Sequence, residues 1–199
     1  KEKIILTGNP LRKMFSNSNN IDKSEAYDYF GLSENKKTIL FIGGSLGARS
    51  INNCVKENIE SFIKMDVQII WQTGRSYQLV EAINSEQIKV FDFINRMDYV
   101  YRISDIVISR AGAIAISELA ANKKVTIFIP SPNVAEDHQT KNANYLVERG
   151  AALIIKDDLA SKEIVDKIRF LLENEDEMKK LSDNISNFYI PNSAKIICD

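Results

Sequence analysis

Thr38-Ile39-Leu40-Phe41-Ile42-Gly43-Gly44-Ser45-Leu46-Gly47-Ala48-Arg49 reads as a strand, a glycine turn and the start of a helix. The run at 38–42 is apolar without alternation, as a strand buried on both faces should be. The glycines let the chain turn sharply, and 48–64 has the periodicity of an amphipathic helix. Outward from this stretch the same unit recurs. Apolar runs lie at 4–7, 67–71, 88–93, 106–109, 126–129 and 152–155. Helical patterns lie at 77–84, 97–103, 113–121, 140–149 and 161–173, with a last helix at about 176–187 ahead of Pro191. Stretch 17–20 is polar and reads as a loop. Strands alternating with helices of this length predict βαβ units, hence an α/β, Rossmann-like parallel sheet with helices on both faces. No repeat interrupts the pattern, so 1–199 reads as one domain.

Bulk properties narrow the classes. The chain has 199 residues, 44% hydrophobic and 27% charged, with a net charge of -1. That balance offers no electrostatic footprint for nucleic acid. Two cysteines, Cys54 and Cys198, lack a metal-ligand spacing, and a reducing compartment without a disulfide is the expectation. No run of about 18 apolar residues predicts a membrane span. The opening Lys1-Glu2-Lys3-Ile4-Ile5-Leu6 reads as a strand rather than a signal peptide, and as the continuation of a longer chain.

In such folds ligands bind beyond the carboxyl ends of the strands, so the loops there carry the functional reading. Gly43-Gly44-Ser45-Leu46-Gly47-Ala48 opens a long helix, whose free N–H groups and partial positive charge suit a phosphate. Ser45 adds a hydroxyl donor. The alternative is a glycine-rich turn with no ligand. The loop lacks the Lys-Ser/Thr ending of a P-loop and the Gly-x-Gly-x-x-Gly spacing of dinucleotide sites. Ser109-Arg110-Ala111-Gly112-Ala113-Ile114 repeats the arrangement, with Glu118 just over one turn into an apolar helix. A carboxylate there needs a partner or a cleft. Either it meets ribose hydroxyls, or it pairs with Arg110 or a lysine.

The loop Pro130-Ser131-Pro132-Asn133-Val134-Ala135-Glu136-Asp137-His138-Gln139-Thr140-Lys141-Asn142-Ala143 carries polar groups suited to sugar hydroxyls, and His138 is the only histidine in the chain. Its bland alternative is a helix capped by Asp137, with the rest solvated. Phe93 and Ile94 lie in the segment 91–97 after a strand, where a planar base fits against the backbone and the Phe93 side chain, although such a Phe is more often a core residue. Arg12, beside the turn at Gly8-Asn9-Pro10, is either a site cation or a solvated charge.

Together Gly8-Asn9-Pro10-Leu11-Arg12, Gly43-Gly44-Ser45-Leu46-Gly47-Ala48, Ser109-Arg110-Ala111-Gly112-Ala113 with Glu118, and Glu136-Asp137-His138-Gln139-Thr140-Lys141-Asn142-Ala143 resemble, in order and spacing, the MurG-type N-acetylglucosaminyltransferases. The resemblance covers nearly the whole chain. It implies the C-terminal, donor-binding half of a GT-B glycosyltransferase, two Rossmann-like domains facing across a cleft. It implies an inverting transfer from UDP-N-acetylglucosamine to undecaprenyl-diphosphoryl-muramyl-pentapeptide, needing no cofactor and no metal held by the protein. By the same resemblance Ser45 contacts the diphosphate, with the Ala113 and Ile114 backbone beside it. Arg12 and the Phe93 and Ile94 backbone hold uracil, Glu118 takes the ribose hydroxyls, and His138 and Gln139 meet the sugar. Some members have Gln where Leu46 stands, and some have Gln-Gln in place of His138-Gln139. The acceptor site, general base and peripheral contact with the cytoplasmic face of the membrane belong to the N-terminal domain. Competing readings are another GT-B protein such as a UDP-sugar epimerase or a different glycosyltransferase, a non-catalytic nucleotide module, and a Rossmann oxidoreductase. The last would want an acid after the run at 67–71, where Gln72-Thr73 stands.

Overall fold

Residues 7–12, 21–77, 83, 85–134 and 137–198 are described by a computed structural model. Their strands are β1 (Thr38–Ile42), β2 (Gln68–Gln72), β3 (Ile88–Phe91), β4 (Ile106–Ser109), β5 (Val125–Phe128) and β6 (Leu153–Ile154). They form one parallel sheet in the order β3-β2-β1-β4-β5-β6. The helices are α1 (Lys23–Phe30), α2 (Arg49–Lys64), α3 (Met97–Ile103), α4 (Ala113–Ala121), α5 (His138–Val147), α6 (Ala160–Leu172), α7 (Glu175–Ser186) and α8 (Ser193–Cys198). None is long and apolar enough to cross a membrane.

Successive strand side chains point to opposite faces, and each face has its own core. Leu40, Ile70, Val107 and Phe128 pack with α1 and α3 and with Leu119, Ala143 and Leu146 of α4 and α5. Ile39, Phe41, Ile69, Trp71, Ile106, Ile108 and Ile127 pack with α2 and α6. Both faces of the sheet are therefore covered, which is why the strand runs show no polar alternation. Cys54 of α2 lies in the second core, and burial lifts its thiol to about 12. Cys198 is exposed, and neither forms a disulfide.

The expected α/β alternation is present, with local differences. β2 runs on to Gln72, which pairs with both Ile42 and Phe91. β3 stops at Phe91 rather than at 93; one further backbone bond follows, from Gly74 N to Asp92 O at 3.1 Å, and side chains then take over. The Asp92 carboxylate accepts from Phe93 N at 2.7 Å, and the Gln72 side chain accepts from Ile94 N at 2.9 Å. Helix α5 starts at His138 rather than at 140. Asp137 occupies its N-cap with φ 52° and forms no side-chain capping bond, so the capping alternative for Asp137 does not hold.

Helices α1 and α8 are additions to the sequence reading. For α1 the signals were present. Asp22 accepts from Ser24 N at 3.0 Å, and Gly31 ends the helix at φ 61°. Thr7 is not in a strand. The rest of the strand expected at 4–7, most of the helix expected at 77–84, and the loop at 17–20 lie outside the described residues.

Candidate functional site

The strand order reverses between β1 and β4, whose last residues, Ile42 and Ser109, are paired. Crossovers leave in opposite directions from this pair, so the loops above it part and leave a crevice. The helices entered from it, α2 and α4, have Ala48 and Gly112 at their N-caps, neither making a side-chain capping bond. Their first N–H groups stay available to a ligand, and the helix dipoles favour an anion there.

A cavity of about 540 Å³ fills the crevice. Of the nine residues named from the sequence, Arg12, Ser45, Phe93, Ile94, Ile114, Glu118 and Gln139 line it. Ala113, the first residue of α4, is exposed just outside that lining, and its carbonyl accepts from Asn9 Nδ2 at 3.2 Å. His138 is exposed at the start of α5 and also lies outside it. A second cavity of about 760 Å³ adjoins the first and shares Gly43, Ser45, Arg110 and Gln139 with it.

Glu118 is the principal charge in the crevice. Its side chain is 14% exposed, its Oε1 lies 3.8 Å from Arg12 Nη2, and its Oε2 accepts from the Tyr101 hydroxyl at 3.1 Å. Burial raises its pKa above the ordinary carboxylate value, while Tyr101 and Arg12 pull the other way. Arg110 is not its partner, contrary to one reading of the sequence. Arg110 instead pairs with Asp157 and donates to Ile129 O at 2.8 Å and to Ser50 Oγ at 3.0 Å. Nor is Arg12 only a solvated charge, since it faces Glu118. Phe93 is half-buried against the cavity with the Arg75 guanidinium 4.6 Å from its ring centre, so it is not a core residue.

Several groups that shape the site escaped the sequence reading. Gln72 is buried at the end of β2, where its Nε2 donates to Gly44 O at 3.0 Å while its Oε1 accepts from Ile94 N. One amide thus ties the β1 loop to the β3 loop. Asn52 of α2 donates to Thr73 O and accepts from Trp71 Nε1, each at 2.9 Å. Arg75 N donates to Ser45 O at 3.2 Å. A polar residue ending an apolar strand was the available signal for Gln72. For Tyr101, buried in α3, only its place in the fold reveals its reach to α4.

Gln139 Oε1 accepts from Ser131 N at 2.9 Å, and Asn142 Nδ2 donates to Ala111 O at 3.1 Å. Gln139 lines both cavities, and the first bond ties its amide oxygen to the loop before α5.

The sequence profile of the glycosyltransferase family 28 C-terminal domain matches residues 38–195. A UDP-N-acetylglucosamine–N-acetylmuramyl-(pentapeptide) pyrophosphoryl-undecaprenol N-acetylglucosamine transferase of Flavobacterium psychrophilum is 46% identical over 201 residues, covering 100% of this chain and 54% of its own length. The protein of the same name from Phocaeicola vulgatus is 46% identical over 203 residues, covering 99% and 54% respectively. The crystal structure of Acinetobacter baumannii MurG superposes with a TM-score of 0.68 at 28% identity, over 86% of this chain and 51% of that one. The chain spans about half the length of these relatives. The matched profile, the switch-point crevice and the shared fold agree: the chain belongs to the glycosyltransferase family 28 C-terminal domain family.

Proposed function

We propose that this chain is the donor-binding half of an inverting N-acetylglucosaminyltransferase. The whole enzyme would move N-acetylglucosamine from UDP-N-acetylglucosamine to an undecaprenyl-linked muramyl-pentapeptide at the cytoplasmic face of the bacterial membrane. The observation that carries the reading is the crevice between β1 and β4, where two uncapped helix N-termini stand beside a half-buried carboxylate. In this reading the diphosphate lies over the start of α4, at Ala113 and Ile114, within reach of Ser45. The ribose hydroxyls donate to Glu118. The base lies along Phe93 and Ile94, with Arg12 beside it. Because Ile94 N–H is held by Gln72, that loop meets the base through carbonyl oxygens, which suit the N3–H donor of uracil. The Gln139 amide faces the sugar, and His138 meets it from the rim at the start of α5.

A nicotinamide dinucleotide fits less well. In dinucleotide folds the ribose acid stands at the end of β2, and here that position is Gln72 with both ends of its amide engaged. UDP is therefore expected to raise the melting temperature and NAD to leave it unchanged. At about 100 times its dissociation constant, UDP should add roughly 2.7 kcal/mol of stability. Equal shifts with both ligands, or none with millimolar UDP, would count against the reading.

Glu118→Ala is expected to weaken UDP binding by about 1–3 kcal/mol, the range for hydrogen bonds to a charged acceptor. Calorimetric titration measures this directly. An unchanged affinity combined with a lower melting temperature would make Glu118 a structural ion-pair partner instead.

A further inference from the structure

Glu118 is approached from two sides, and the two partners differ in kind. Arg12 reaches it at 3.8 Å from a loop, with 59% of the arginine side chain exposed. An exposed, long-range pair of that sort orients a carboxylate weakly, because solvent screens it and the arginine has many rotamers. Tyr101 reaches it from α3, a helix packed on the core, and the residue is 2% exposed. Its hydroxyl donates to one carboxylate oxygen, Oε2, at 3.1 Å. A phenol this deeply buried needs a hydrogen-bond partner. Here the acceptor is a carboxylate on the neighbouring helix that also lines the cavity. The aromatic ring has only two side-chain torsions, so the bond fixes the Glu118 rotamer at little entropic loss.

The geometry points to Tyr101 as a positioning residue that holds the Glu118 carboxylate at the angle needed to accept from a nucleotide ribose. This rests on the ribose reading of Glu118 given above. Burial, together with the neighbouring carboxylate charge, pushes the Tyr101 phenol well above its ordinary pKa. It therefore remains a protonated donor through the neutral range.

The test uses the 199-residue chain, UDP and 2′-deoxy-UDP, with dissociation constants from calorimetry. The unsubstituted chain should bind UDP more tightly than 2′-deoxy-UDP. Tyr101→Phe keeps the ring and its packing, so the chain should fold. It should weaken UDP binding by about fivefold to tenfold, the effect of one hydrogen bond, and should change 2′-deoxy-UDP binding much less. The preference for the ribose would then shrink. In a Glu118→Ala background the same substitution should add no further loss, because Tyr101 acts through Glu118. An unchanged ribose preference in Tyr101→Phe, even with a lower melting temperature, would make Tyr101 a core residue and overturn the inference. Equal affinities for UDP and 2′-deoxy-UDP in the unsubstituted chain would overturn the ribose reading itself, and this inference with it.

Discussion

Gly47→Ala is expected to destabilise this chain by about 2–5 kcal/mol, against the roughly 5–15 kcal/mol stability of a typical domain. Gly47 has φ 83°, a left-handed conformation that costs a residue with a Cβ roughly 1–2 kcal/mol. An added Cβ would also lie 2.0 Å from Thr73 O, a backbone atom at the end of β2. Relieving that collision means moving one loop away from the other, and overpacking of this kind costs about 1–3 kcal/mol. Gly74 faces the same contact from the other side, its Cβ position 2.1 Å from Gly47 N. The contrast is Gly112→Ala. Gly112 has φ -75°, and its Cβ would meet nothing within 4 Å. That substitution should leave the unfolding midpoint nearly unchanged while placing a methyl in the space read here as the diphosphate site. Urea unfolding with UDP titration separates the two. Equal midpoints for Gly47→Ala and the unsubstituted chain would mean that the two loops do not interlock.

The second large effect concerns turnover. The 199 residues by themselves should bind UDP-N-acetylglucosamine yet transfer no sugar to a purified lipid-linked acceptor. Transfer requires an acceptor oxygen in line with the anomeric carbon at about 3–3.5 Å, together with a positioned base. Among the described residues lining the crevice cavity, Glu118 is bonded by Tyr101 and faces Arg12, and Arg110 is held by Asp157. His138 lies outside that lining. Fusing the acceptor-side half of a relative ahead of Lys1 should restore activity. Measurable turnover without it would show that the catalytic groups stand on this chain after all.

The sheet and most of the crevice were legible in the sequence for a specific reason. Doubly covered strands must be apolar throughout, so runs such as Thr38–Ile42 stand out. Ligand loops in a parallel sheet must also follow such runs, which leads directly to 43–48 and to Gly112. What remained hidden was pairing across elements. Glu118 had two readings because nothing local distinguishes a ribose acid from an ion-pair partner. Its neighbours turned out to be Arg12 and Tyr101, from a distant loop and from the helix before β4. Arg110 was open for the same reason, since its acid, Asp157, lies beyond β6. The short helix α1 was missed although Asp22 and Gly31 bracket it, because its apolar pattern spans barely two turns.

The amide of Gln72 has a thermodynamic consequence for any ligand of this crevice. It bonds Gly44 and Ile94 at once, while Arg75 N–H holds Ser45 O and Gly47 rests against Gly74. The β1 and β3 loops that wall the crevice are thereby fastened to each other before anything binds. Fixing a backbone residue costs about 1–2 kcal/mol of conformational entropy, and here that loss is incurred during folding. Association then bears mainly the loss of the ligand's own freedom and the ordering of exposed side chains such as Arg12. The β1 and β3 loops thus form a preorganised receptor, whose affinity is set largely by complementarity rather than by loop ordering.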